Sequence, residues 1–329
     1  MRYSRLTVFS MLLALSLLVV QGPAAAQQYS GVTRQVEGSF ASHFHNRAQE
    51  ERNKAVVRRV YDEIFGQGQT DLVNDLFAEI YIQHNPTLPN GRQGLIDFVR
   101  FLKSLDPVPV ITVKHILADG DLVTVHWHAS ATPGNEFTGQ AGFDLFRLDG
   151  SRIVEHWDVI QDVPPQTASG NSMFSDLYQY PGKAPKLAEL REELNRLLVL
   201  VAYDGLFNDH QLQLLDLFFA GENYIQHNPL VPNGAAALAA ILDVIAPEGS
   251  VLDFRHAVAD GDLVFVHSQG LPPGADPNNE FAGIAVADIF RVVNGRIVEH
   301  WDAIQPVPAQ TASGNSMFND LYRRDQHAQ

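Results

Sequence analysis

The chain has 329 residues, of which 45% are hydrophobic and 19% charged, with no cysteine and a formal net charge of −15. That length suggests about two domains of about 150 residues each, and the composition fits a packed globular protein rather than a disordered one. The missing cysteines exclude disulfides, thiolate nucleophiles, cysteine-bound zinc and iron–sulfur clusters. The acidic balance, without a long basic run, argues against nucleic acid and anionic membrane surfaces as partners.

The N-terminus has the pattern of an export signal. Arg2 and Arg5 supply positive charge, Phe9 to Val20 is almost wholly apolar, and Ala24, Ala25 and Ala26 offer the small residues of a cleavage site. The apolar run is short for a membrane span. Cleavage is expected after Ala26, leaving a periplasmic or secreted protein with no membrane segment. Residues 27–44 read as a flexible lead.

A long internal repeat follows. Tyr81-Ile82-Gln83-His84-Asn85-Pro86 recurs as Tyr224 to Pro229, and Pro89-Asn90-Gly91 as Pro232-Asn233-Gly234. Ala118 to Asp121 recurs as Ala259 to Asp262, Ile153 to Asp158 as Ile297 to Asp302, and Ala168 to Phe174 as Ala312 to Phe318. A period this long marks two whole domains rather than a solenoid of short units. They are expected at 45–181 and 184–325, joined by a short Pro/Gly linker at Tyr180 to Pro185.

Each copy begins with helices. Val57, Val60, Tyr61 and Ile64 fall at helical spacing, as do Leu194, Leu198 and Val201. A second helix is expected at Leu72 to Phe77 and at Leu214 to Phe218, and a third at Leu95 to Leu102 and at Leu238 to Ile245. Alternating strands then flank the turn signals Asp119-Gly120, Asp149-Gly150, Asp260-Gly261 and Asn294-Gly295. Helices followed by an antiparallel sheet give an α+β class. A curved sheet packed by helices would enclose a mostly apolar cavity suited to a small-molecule ligand.

The chemistry lies in the repeated strands. Period-two alternation puts Val154, His156, Asp158 and Ile160 on one face, and Ile153, Glu155, Trp157 and Val159 on the other. His300 and Asp302 match His156 and Asp158. If these faces turn inward, His156 with Asp158 and His300 with Asp302 form an acid/base pair in each pocket. An imidazole titrates near neutral pH, and a nearby carboxylate fixes its tautomer. His84, Asn85, His126 and Asp144 would contribute to the first pocket, and His227, Asn228, His267 and Asp288 to the second. Plainer readings stand beside these: His84 and Asn85 could shape a turn, and His126 could be a satisfied sheet histidine. His128, matched by Gln269, favours a structural role, and His115 and His256 are expected to point outward. The same mismatch weakens a metal site at His126-x-His128, and no Gly-rich phosphate loop or nucleophile elbow is present. Neither a metal nor a cofactor is expected.

At YIQHNP, DGDLV, the Asp-x-Phe-Arg segments (Asp144 to Arg147, Asp288 to Arg291) and IVEHWD, each half resembles the SnoaL-like polyketide cyclases of the nuclear transport factor two-like fold. The resemblance implies two tandem cone-shaped α+β barrels, each a strongly curved antiparallel sheet with about three N-terminal helices. It also implies cofactor-free aldol chemistry or a related isomerase or hydrolase reaction on a carbonyl-bearing molecule. Asp158 and Asp302 match the family's acid/base carboxylate, with His156, His126 and His84 candidates for its associated histidine. A binding module that holds a ligand without turnover is the alternative. Members of the fold pair through their sheets, so the halves are expected to form an intrachain pseudo-dimer across the faces of Trp157 and Trp301.

Overall fold

The computed structural model describes residues 47–181 and 189–322. The expected export signal, the lead at 27–44 and part of the linker lie outside the described residues. No described helix is long and apolar enough to cross a membrane.

The first half opens with α1 (Arg47–Arg59), which continues as a π-helical segment, Val60–Gly66. Val57, Val60, Tyr61 and Ile64 are buried, as their spacing predicts. A one-turn α2 (Val73–Leu76), β1 (Phe77–Gln83) and α3 (Arg92–Ser104) follow. A meander completes the half: β2 (Val110–Asp119), β3 (Leu122–Ser130), β4 (Gln140–Asp149) and β5 (Arg152–Asp162). The second half repeats this with α4 (Glu189–Phe207), α5 (Gln213–Phe218), β6 (Ile225–Gln226) and α6 (Ala235–Ile245). Its meander is β7 (Val251–Asp260), β8 (Leu263–Leu271), β9 (Ile284–Val293) and β10 (Arg296–Pro306). The Asn294-Gly295 turn has positive φ at both residues (53° and 75°), as a tight hairpin between twisted strands requires.

Each half is thus an open, cone-like α+β unit. One detail differs from expectation. The sheets are mixed: β1 lies parallel to β5, with Gln83 opposite His156, and β6 lies parallel to β10. The chain passes through α3 and the whole meander before β5 returns to the edge beside β1, so nothing forces that pair to be antiparallel. The third helix follows the first strand, as the order of the YIQHNP string and Leu95 to Leu102 in the chain predicts.

One face of each sheet packs on its own helices, and the other meets the opposite half. Phe143, Leu145, Trp157 and Val159 share an apolar cluster with Phe265, Ile289, Trp301 and Ala303. Fully burying such a side chain is worth roughly 1.5–3 kcal/mol. Polar contacts frame the cluster: the Ile160 N–H donates to Gln305 Oε1, and the Ile304 N–H to Gln161 Oε1, both at 2.8 Å. Asp119 reaches Arg196 at 3.1 Å, and Asp260 reaches Lys54 at 2.9 Å.

The segments after β5 and β10 dock on the opposite half. Asn171 donates to the Gln226 carbonyl, and Asn315 to the Gln83 carbonyl. Trp301 donates its indole N–H to the Ser175 carbonyl, and Trp157 to that of Asn319. These crossing straps, 168–180 and 312–322, contain the ASGNSMF repeat. Glu155 is wholly buried and accepts backbone N–H bonds from Leu321 and Tyr322; Glu299 does the same for Leu177 and Tyr178.

His84 completes this arrangement. Its Nδ1 meets the Ser316 carbonyl at 2.6 Å, its Nε2 meets Glu155 Oε1 at 3.0 Å, and its ring stacks on Trp157. Truncating it would take the ring donor from the buried Ser316 carbonyl and one of several donors from the buried Glu155. His84→Ala is expected to lower the unfolding free energy by about 3 kcal/mol, measured by urea denaturation of the full chain. A loss under about 1 kcal/mol would mean that Glu155 and the strap are satisfied without it.

Candidate active site

Each half encloses a cavity between the inner sheet face and the helices, of about 440 Å³ in the first and about 380 Å³ in the second. At the polar end of the first cavity, Asp144 on β4 stands directly opposite Asp158 on β5, and His156 lies two residues along. The equivalent group in the second half is Asp288, His300 and Asp302.

The tautomer of His156 follows from its neighbours. Gln83 donates its amide N–H₂ to Tyr81 Oη at 3.2 Å, while its Oε1 accepts the Asn85 backbone N–H at 2.9 Å. Gln83 Oε1 is therefore an acceptor, and His156 Nδ1, 2.7 Å away, donates to it. His156 Nε2 then faces Asp144 Oδ1 at 3.3 Å. On its other oxygen, Asp144 accepts the Trp127 indole N–H at 2.9 Å and the Tyr61 hydroxyl. Asn85 donates to Asp158 Oδ2 at 2.6 Å, whereas Asp158 Oδ1 is buried with no hydrogen-bond partner.

The electrostatics follow from this geometry. Burial pulls the His156 imidazole down, but the hydrogen bond and charge of Asp144, with the charge of Asp158, outweigh it and hold it above its usual value. Burial lifts Asp158 to about 6; the charge of His156 resists the rise and that of Asp144 adds to it. Burial raises the phenols of Tyr61 and Tyr81 well above the ordinary tyrosine range, so both stay protonated donors. Asp158 thus combines a free oxygen, a place on the cavity wall and an acidity suited to proton transfer near neutral pH.

The structure brings His156, Asp158, Asn85 and Asp144 together at the first cavity. His300, Asp302 and Asn228 line the second, and Asp288 touches His300 from behind at 2.9 Å. Four expected site residues lie elsewhere. His84 and His227 face the opposite half, each set between a buried glutamate and a strap carbonyl. His126 and His267 also lie on the outer sheet face, where their Nδ1 atoms meet those of His115 and His256 at 3.1 and 3.2 Å. The alternation along β3 and β8 holds, but the inner face is that of Val125 and Trp127, and of Val266, rather than that of the histidines. His115 and His256, expected to point outward, are buried there. The residues missed were Tyr61, Tyr81, Gln83 and Trp127. Tyr81 and Gln83 belong to the repeated YIQHNP string, and Tyr61 recurs as Tyr203, so repetition could have flagged three of them.

The comparisons agree with the fold. The SnoaL-like polyketide cyclase family matches residues 55–168, and the SnoaL-like domain family matches residues 200–300. Together these cover about two thirds of the chain, which belongs to the SnoaL-like family as a tandem pair of its domains. Similar solved structures include a nuclear transport factor two-like protein of unknown function from Mesorhizobium loti, at 22% identity over 34% of this chain and 93% of that one, TM-score 0.30. A SnoaL-like protein of Jannaschia sp. CCS1 is 20% identical over 34% of this chain and 87% of its own, TM-score 0.29. IdmH of Streptomyces antibioticus is 24% identical over 33% and 91%, TM-score 0.29. No curated protein matches the chain.

The buried aspartates also make a stability prediction. Asp158 and Asp302 are both raised to about 6 in the folded protein, from an ordinary value of 3.8. Between about pH 4 and 6 the folded state holds protons that the unfolded chain has released. Their favourable contribution is therefore complete below about pH 4 and is lost as the pH rises through 6. Asp158→Asn and Asp302→Asn should each stabilise the protein at pH 8, by at most about 3 kcal/mol, with the gain vanishing at pH 4. Urea unfolding at the two pH values measures this; an equal effect at both would assign the change to packing instead.

Proposed function

We propose that this protein is an exported, cofactor-free acid/base enzyme acting on a small, mostly apolar, carbonyl-bearing molecule. The observation that carries the reading is Asp158: a buried carboxylate on the cavity wall with one oxygen held by Asn85 and the other unpartnered. In the proposed step, Asp158 Oδ1 takes a proton from the carbon beside the substrate carbonyl. The C–H pair moves into the new enolate and negative charge gathers on the carbonyl oxygen. Tyr81 also lines the cavity, and its hydroxyl already accepts from Gln83, so its own O–H is the donor available to that oxygen. The His156–Asp144 pair, neutral overall, turns the imidazolium end of an ion pair to the site without spending Nε2 on the substrate. The enolate can be reprotonated at another carbon or can attack a second carbonyl, which are the isomerase and aldol outcomes of one machinery.

Membership of the SnoaL-like family supports this class of chemistry, and the N-terminal pattern of Arg2, Arg5 and the apolar run to Val20 supports export. We further propose that the halves act as a permanent intrachain pseudo-dimer, supported by the shared apolar cluster and the crossing straps. A ligand carrier without turnover is the second reading, favoured by the scarcity of polar groups around the cavities.

The test uses 2-tetralone, an apolar ketone with exchangeable hydrogens beside its carbonyl, in D₂O at pD near 7. The wild-type chain should accelerate deuterium incorporation, read by proton NMR, with a rate that rises as a group near 6 ionises. Asp158→Asn should reduce the acceleration by at least about 100-fold. Exchange no faster than in buffer, with the ketone bound, would favour the carrier.

A further inference from the structure

The two pockets share a plan but differ at one cross-strand pair. In the first half Trp127 on β3 faces Gly142 on β4. The glycine is required there, because a Cβ would stand 2.0 Å from the Trp127 ring. In the second half the same two places hold Ser268 and Val286. The bulk has moved from one strand to the other, and the indole donor has gone with it.

The hydrogen bonds change accordingly. Asp144 has donors on both oxygens: Trp127 and Tyr61 on Oδ2, and His156 beside Oδ1. Asp288 has its two neighbours, Tyr203 at 3.0 Å and His300 at 2.9 Å, on the same oxygen. Its Oδ2 is buried without a partner, and so is Ser268 Oγ, which is too short to stand in for the indole. Asp144 lines the first cavity, whereas Val286 lines the second and Asp288 is sealed behind it with no exposure.

We propose that the two halves have divided labour: the first pocket carries out the proton transfer, and the second is a binding site, without turnover, for an uncharged, mostly apolar molecule bearing a hydroxyl group. The proposal rests on the acid/base reading of Asp158 for its first part only. A carboxylate that accepts three donors suits an ion pair with a protonated histidine. One that lacks a donor on a buried oxygen suits the neutral acid, which keeps its proton and donates its O–H as a hydrogen bond to the histidine Nε2. The charge balance moves the same way: burial raises Asp288 well above the carboxylate range and lowers His300 to about 4, while His156 is raised. The second pocket therefore lacks the positive charge that would sit near a forming enolate. Among the described residues no lysine or arginine lines it, so an anionic ligand would meet no counter-ion there. On its wall the buried Asp302 Oδ1 has no partner and is an acceptor for a ligand hydroxyl, and Tyr224, whose hydroxyl accepts from Gln226, offers an O–H as Tyr81 does in the first pocket. Trp127 is accordingly a positioning residue, acting on the chemistry through Asp144 and His156.

Three measurements on the full chain decide this. Nitrogen-15 NMR of the histidine rings at pH 7 should show His156 protonated on both nitrogens and His300 on one; the same state in both would overturn the proposal. Titration with 2-naphthol should shift the His300 resonances, while 2-naphthoate should not; the reverse order would overturn the ligand class. In the 2-tetralone exchange assay, Asp158→Asn should remove essentially all of the acceleration, whereas retention of about half would show that the second pocket also turns over. If the wild-type chain gives no exchange at all, the enzymatic reading fails, and the histidine states still decide whether the pockets differ. As a gain-of-function check, Ser268→Trp with Val286→Gly should bring His300 to the doubly protonated state, a change that repacking alone would not produce.

Discussion

An ionised carboxylate sealed from solvent needs donors on its oxygens, and the seam between the halves meets that condition twice. Glu155 takes His84 and Arg147 from its own half and backbone N–H groups of Leu321 and Tyr322 from the strap of the other. Glu299 takes His227, Arg291, Leu177 and Tyr178 in the mirrored way. Neither half can satisfy its own glutamate. The outer faces of β5 and β10 are consequently tied together by polar contacts of fixed geometry as well as by the apolar cluster of Trp157 and Trp301. Apolar contact alone would allow the sheets to slide; directional bonds to a buried charge do not.

That constraint bears on the chemistry through strand alternation. Glu155 and Trp157 anchor one side of β5, so His156 and Asp158 are presented to the cavity on the other with little freedom to turn. The edge strand contributes in the same way. His84 binds the strap while its neighbours Gln83 and Asn85 orient His156 and Asp158. Each repeated string thus mixes residues that hold the halves together with residues that set the site. Its recurrence reflects both demands at once.

This mixing explains what could be read from the sequence. The duplication, the hairpin turns and the split of the IVEHWD faces were legible because repetition, turn residues and period two carry them. The placement of His84, His126 and His267 was not. Alternation says which residues share a face, but it cannot say which face looks inward when both are buried, and both faces of these sheets are. The strap crossing was equally hidden, since the ASGNSMF string carries no sign of which copy it docks on. The first helices contribute Tyr61 and Tyr203 to the sites although helical spacing marks Tyr61 only as core, because a tyrosine can fill a core and offer its hydroxyl to a buried carboxylate at the same time.

Duplication within one chain also frees the copies to differ where two identical subunits could not. The surfaces that meet must remain complementary, so His84 and His227, Trp157 and Trp301, and Glu155 and Glu299 stay matched. The cavity walls face their own helices and carry no such obligation. The chain has three tryptophans, and Trp127, the one without a counterpart, stands on a cavity wall. Its indole meets a carboxylate two residues along the facing strand from the glycine that makes room for it. Reversing the bulk between those two strands keeps the wall filled and removes the donor. The fold is kept across the exchange while the donor to the carboxylate is not, which is how a duplicated fold can separate the tasks of its two pockets.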